Sequence, residues 1–183
     1  MDLSSLNHWQ QLAFCTALCE RSFPNFQLFC EIEKLNDHEK QARKVLNKIW
    51  EFLRGQLTSS KNLEKQLEPL SELIPNPENY EHYGVYPAMD ALVALQSCLQ
   101  ATIDSSVEDA QSIQKMVHER LKEVLELQDI SWESSELWSR QMQFEASILH
   151  IIQAHNSHAH MIKELIPLSH DNGISQIGIC LSD

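Results

Sequence analysis

The chain has 183 residues, 43% of them hydrophobic, which is enough to bury a core without disulfide or metal staples and is within the usual size of one domain. Its 26 acidic and 14 basic residues leave a formal charge of -12, which repels phosphate backbones and anionic lipid, so neither direct nucleic acid binding nor a membrane partner is expected. Four glycines are too few for a strand-rich fold, so the expectation is an all-α, single-domain helical bundle over 1–183, with about seven helices and an extended C-terminal tail.

The first helix is predicted over about residues 4–21, where Leu12 to Cys19 is apolar apart from Thr16, so its middle is hydrophobic nearly all round and belongs at the centre of the bundle. Pro24 suits the first turn of a second, short helix carrying Phe26, Phe29 and Ile32, and the two together predict an N-terminal hairpin. Asp37 is expected to cap a third helix, in which Ala42, Val45, Leu46, Ile49 and Leu53 follow the helical period and Gly55 supplies a left-handed stop. A fourth, over about residues 60–73, presents Leu63, Leu67 and Leu70, with a kink expected at Pro69.

Residues Pro75 to Tyr86 read as an irregular connection, after which Pro87 opens a fifth helix whose buried side holds Ala91, Leu92, Leu95, Cys98 and Leu99. Ser106 and Asp109 resemble a capping box for a sixth, with Ile113, Val117, Leu121, Val124 and Leu125 along one face. From Ser134 to Leu168 the apolar period of Phe144, Ile148, Ile151, His155, Ile162 and Ile166 predicts one long helix, bent near Asn156. Beyond Gly173 the alternation of Ile177, Ile179 and Leu181 predicts an extended strap against the bundle.

Five cysteines, with no C-x-x-C pair among them, argue against a disulfide framework and for a reducing, cytoplasmic setting in which Cys15 and Cys19 act as small hydrophobes. No apolar run reaches the roughly 18 residues of a membrane span, and Asp2, Ser4, Ser5 and Asn7 stand where a signal peptide carries positive charge.

Two groupings could carry chemistry. His150, His155, His158 and His160 suggest a metal, since imidazole is a common zinc ligand. On one helix, however, only His155 and His158 share a face, so a complete metal site is not expected. The second grouping is Glu20 and Arg21 on the first helix with Asp90 at the start of the fifth, because charges near a core are seldom unpaired. Arg21 is expected to bridge Glu20 and Asp90 as an ion pair that sets helix register. The alternative is a small-molecule or acid–base pocket at the junction of the first and fifth helices, to which Tyr83 and Tyr86 add hydroxyl groups. The chain contains no G-x-S-x-G, P-loop or G-x-G-x-x-G, which disfavours standard hydrolases, kinases and dinucleotide enzymes, and no cofactor is expected. Trp9, Trp50, Trp132 and Trp138 are read as core or interface anchors, and the alternative for Trp132 and Trp138, flanked by Glu133 and Glu136, is a partner-binding patch.

Three blocks carry a family resemblance: Trp9-Gln10 with Leu18-Cys19-Glu20-Arg21 and Pro24-Asn25-Phe26; Tyr83-Gly84-Val85-Tyr86-Pro87-Ala88-Met89-Asp90; and Ser175-Gln176-Ile177-Gly178-Ile179. In these, over essentially its full length, the chain resembles the YjaG family of uncharacterised bacterial proteins. The resemblance implies an all-α fold and a cytoplasmic bacterial origin and brings no established activity, cofactor or catalytic residue. The leading expectation is therefore a non-enzymatic interaction or regulatory protein that binds another protein or itself. The alternative is a small-molecule-binding protein or enzyme built on Glu20, Arg21, Tyr83, Tyr86 and Asp90.

Overall fold

Asn7 begins the longest helix among the described residues, α1 (His8–Glu33), with a reciprocal cap: its side chain accepts from the backbone N–H of Gln10, and the Gln10 side chain accepts from the backbone N–H of Asn7. The computed structural model describes residues 3–56, 61–105, 109–154 and 157–181. Every residue of α1 from Leu12 to Phe26 is buried, so this helix is the axle around which the others pack.

Pro24 does not start a new helix. It lies inside α1, and the expected hairpin is one continuous element. An interior proline costs about 3 kcal/mol. Burying Phe26 and Phe29 beyond it contributes roughly 1.5–3 kcal/mol each, which offsets that cost. The helix stops only at Lys34, in the left-handed conformation with φ 59°.

α2 (Asn36–Leu53) buries the whole expected stripe, and Gly55 follows it at φ 76°. Asp37 lies in its first turn and is not the cap, which is Leu35. The fourth predicted helix breaks where a kink was expected, giving α3 (Lys61–Glu64) and α4 (Leu67–Glu72), with Pro69 in the first turn of α4, where a missing N–H costs nothing. Both short helices pack on α5 (Val85–Ile103), which starts two residues before Pro87 and makes its most extensive contact with α1.

α6 (Ala110–Glu126) has Asp109 at its N-cap position, while Ser106 lies outside the described residues. The predicted long C-terminal helix is instead two, α7 (Glu136–Ala154) and α8 (His158–His170), which pack side by side. His155 and Asn156 lie outside the described residues. A straight continuation would leave Met161, Ile162 and Leu165 in water; folding back buries all three, with α8 packed against α1 and α2.

The tail is a tight turn where an extended strap was expected. Ile174 and Cys180 form an isolated antiparallel bridge, Ser175 N–H donates to the Ile179 carbonyl at 2.8 Å, and Gly178 takes φ 83°. Among the described residues there is no other β-pairing, and no helix is long and apolar enough to cross a membrane. The fold is all-α.

Candidate functional site

The three charged residues singled out in the sequence do not meet; each joins a separate cluster. Glu20, buried on α1, accepts from Arg43 Nη1 at 2.6 Å through Oε1 and from Trp50 Nε1 at 2.9 Å through Oε2. It borders a polar pocket of about 370 Å³ with Arg43, Asn47 and Arg54 of α2 and its C-terminal end. Arg21, one residue on, points elsewhere: Nη1 donates to Asp171 Oδ2 at 2.6 Å, and its guanidinium lies 4.2 Å from the centre of the Phe144 ring. Burial lowers the Arg21 pKa, with Asp171 opposing and Arg140 adding to the shift.

Asp90 therefore pairs not with Arg21 but with Arg120 of α6, whose Nε donates to Asp90 Oδ2 at 2.6 Å. The geometry of α5 explains the correction, because Asp90 faces α6 and not the part of α1 that carries Arg21. Arg120 Nη1 also donates to the Tyr83 hydroxyl at 3.0 Å and to Glu123 at 2.7 Å. Burial raises the Asp90 carboxyl above its usual range despite the opposing pull of Arg120, and burial likewise raises Tyr83. Burial pulls Arg120 down, but its hydrogen bonds to Asp90 and Tyr83 outweigh that and hold it above its usual value. Tyr86 stands beside Tyr83, ring centres 5.6 Å apart, and is itself exposed.

Tyr83 has a second role. It lines an apolar cleft of about 360 Å³ between the second half of α1, the start of α5, the end of α6 and the tail. α1 contributes Asn25, Leu28, Phe29 and Ile32, and Gly84 and Pro87 sit next to Tyr83. Val124 and Leu127 close the α6 side, and Ile177 and Ile179 hang over it from the tail turn. All three blocks that carry the family resemblance thus contribute to one cleft, the first through Asn25, the second through Tyr83, Gly84 and Pro87, the third through Ile177 and Ile179. The lips are apolar and wet: Ile32 is 53% exposed and Leu127 65%. Such surface is unusual for large aliphatic side chains grouped around a concavity.

A buried carboxylate that the sequence did not single out is Glu145 on α7, 0% exposed. It accepts from His118 at 2.7 Å and Gln141 at 2.8 Å through Oε1, and from Gln114 at 2.7 Å through Oε2. The signal was weak because, although Gln141 stands four residues before it on α7, the other two donors, Gln114 and His118, come from α6. This network ties α6 to α7 through a buried carboxylate.

His158 stacks on Trp9, ring centres 3.8 Å apart and 10° from parallel. His155 lies outside the described residues. His150 and His160 border an open groove between α7 and α8 with Lys163 and Pro167. Among the described residues no three His, Cys, Asp or Glu side chains are grouped so as to hold a metal ion. Trp132 and Trp138 pack edge to face at 4.8 Å beneath Lys122, whose Nζ is 4.0 Å from the Trp132 ring centre.

A family model described as "Protein of unknown function (DUF416)" matches residues 1–180, and the chain belongs to that family. Relatives include the protein YjaG of Escherichia coli (strain K12), 34% identical over 152 residues, covering 72% of this chain and 76% of that one. YjaG of Salmonella typhimurium is 39% identical over 101 residues, 55% of this chain and 50% of its own. An uncharacterized protein of Haemophilus influenzae is 44% identical over 101 residues, 55% of this chain and 51% of its own. The chain thus spans about half the length of these last two relatives. A crystal structure of a DUF416 family protein from Shewanella baltica superposes with a TM-score of 0.84 at 30% identity, covering 97% of this chain and 95% of that one. The likeness to YjaG read from the sequence holds.

Proposed function

We propose that this member of the DUF416 family is a single-domain, non-enzymatic interaction protein of the bacterial cytoplasm, and that the cleft between α1, α5, α6 and the tail receives an apolar anchor from a partner protein. The observation that carries this reading is the pair of exposed lips. Ile32 and Leu127 lie on different helices on either side of one concavity, and an apolar rim of this kind is stabilised when a second protein surface removes it from water. Tyr86 and Ile130, the other large exposed hydrophobics among the described residues, follow in sequence the cleft residues Tyr83 and Leu127.

The candidate ionisable groups favour binding over catalysis. Glu20, Arg21 and Asp90 each have their nearest opposite charge within 2.6 Å, so none is held free to move a proton. A cytoplasmic setting fits the four buried free thiols. The small-molecule alternative keeps support in one respect only, since the cleft does lie where α1 meets α5.

The test is the size of the native assembly. In extract of the native host, the chain should elute from size exclusion ahead of its monomer, and Leu127→Asp should return it to the monomer position while its circular dichroism stays unchanged. A monomer position for both would refute the reading. Recombinant chain alone eluting as a dimer that Leu127→Asp dissociates would identify the partner as a second copy.

A further inference from the structure

We infer that Cys19 and Cys98 form a site of reversible oxidation, at which hydrogen peroxide joins the two thiols of the folded chain as a disulfide. The site stands apart from the cleft and needs no partner protein.

Cys19 lies on α1 and Cys98 on α5, where these two helices make the most extensive contact among the described helices. The two residues are 79 positions apart in sequence, yet their sulfurs are 3.5 Å from each other. A disulfide brings its sulfurs to about 2.05 Å, which leaves a closing distance of roughly 1.5 Å to be shared between two side chains. A packing role asks only for a small apolar side chain, which Ala13, Ala17, Ala91 and Ala94 already provide along the same helices. It does not ask for sulfurs on different helices to touch.

A cavity of about 10 Å³ leads to one of the two sulfurs and not to the other. Cys98 and Cys15 line it together with the partly exposed His8, Gln11, Ser97 and Asp109, and Cys19 does not. Its volume is that of about one water, which favours hydrogen peroxide over any bulkier oxidant.

The cavity also sets the order of events. Cys98 is reached first, and hydrogen bonds from Cys15, Cys19 and Thr16 lower its thiol against the opposing effect of burial. Sharing a hydrogen bond with Cys98 raises Cys15 and Cys19, and burial adds to the rise, so these two stay protonated. The Cys98 thiolate attacks one peroxide oxygen and the O–O bond breaks. Its electron pair leaves with the other oxygen as hydroxide, which takes up the proton released by Cys98 and departs as water. Cys98 is then a sulfenic acid. The Cys19 sulfur attacks the Cys98 sulfur, the S–O bond breaks, and the oxygen leaves with the Cys19 proton as a second water. Two thiols have lost two electrons and one peroxide has become two waters. A small dithiol reverses the bridge by exchange, as suits a transient disulfide in a reducing compartment.

The test uses the full chain carrying Cys180→Ser, which removes the exposed thiol. It is treated when folded with hydrogen peroxide or with cumene hydroperoxide, then labelled with N-ethylmaleimide in urea. Untreated chain should take up four labels. Hydrogen peroxide should remove two of them, dithiothreitol should restore both, and cumene hydroperoxide should remove none in the same interval. Fragmentation of the linked peptide between Cys15 and Cys19 should place the bridge at Cys19. Cys15→Ala should still lose two labels and Cys98→Ala none, and the fragmentation decides by itself if either variant does not fold. Four labels after hydrogen peroxide, or a bridge at Cys15, overturns the inference. So does equal reaction with the two hydroperoxides, because the chain would then oxidise only after the helices had opened.

Discussion

Arg21 Nη1 donates to Asp171 Oδ2 at 2.6 Å, and the same oxygen receives Arg140 Nη2 at 2.7 Å, so one carboxylate ties the buried middle of α1 to α7 and to the residue that ends α8. Asp171 sits in the left-handed region at φ 44°, which asparagine also tolerates. Asp171→Asn should therefore keep the turn and remove only the charge, leaving an Arg21 side chain 3% exposed without its counter-ion. Urea unfolding should show a loss of about 3–5 kcal/mol. A loss below about 1 kcal/mol would place this pair among exposed ones of little consequence.

The Asp90 carboxyl titrates above its usual range because burial outweighs the pull of Arg120, with Glu123 adding to the rise. A raised folded value means that the folded chain holds this proton more tightly than the unfolded chain does. The contribution of this group to stability is then complete below the unfolded value of about 3.9 and is lost as pH rises through the folded value. Asp90→Asn, which cannot titrate, should lose less stability between pH of roughly 3.5 and 7 than the parent does. Parallel stability curves for the two proteins would show that Asp90 does not titrate abnormally.

Thiol access separates the five cysteines. Cys15, Cys19, Cys30 and Cys98 are buried and Cys180 is exposed. Burial pushes the Cys30 thiol up to about 12, and the Cys19 and Cys98 sulfurs are 3.5 Å apart inside the core. Brief treatment of the folded chain with N-ethylmaleimide at neutral pH should add one label, at Cys180, and treatment in urea should add five. Rapid labelling of Cys15 or Cys98 in the native state would mean that the α1–α5 contact opens readily.

Residues whose partners are near in sequence were legible before the structure. The stripe of α2 from Ala42 to Leu53 and that of α6 from Ile113 to Leu125 are buried as their period requires. Pro24 and Pro69 misled in opposite directions for one reason: a proline's backbone cost is local, whereas its outcome depends on what the flanking residues bury. Around Pro24 three phenylalanines favour continuing the helix, and around Pro69 few residues are buried and the helix divides. The division between α7 and α8 was invisible because both helices continue one apolar period across it.

The site was legible in its parts and not in its pairing. Tyr83 and Asp90 do lie together, through Arg120, but Arg120 was not singled out because it sits on the polar side of an ordinary amphipathic helix. Arg21 and Asp171 are 150 positions apart, and no spacing rule connects them.

The central claim, that the cleft between α1 and α6 is where this protein meets its partner, is tested most directly by placing a photo-crosslinking amino acid at Leu127 in the native host. Irradiation should give a discrete covalent adduct, absent when the same group replaces Lys115, an exposed residue on α6 outside the cleft. It should also be lost when Ile32 on the opposite lip is changed to Asp in the same chain. No adduct from Leu127, or one equally strong from Lys115, would contradict the account.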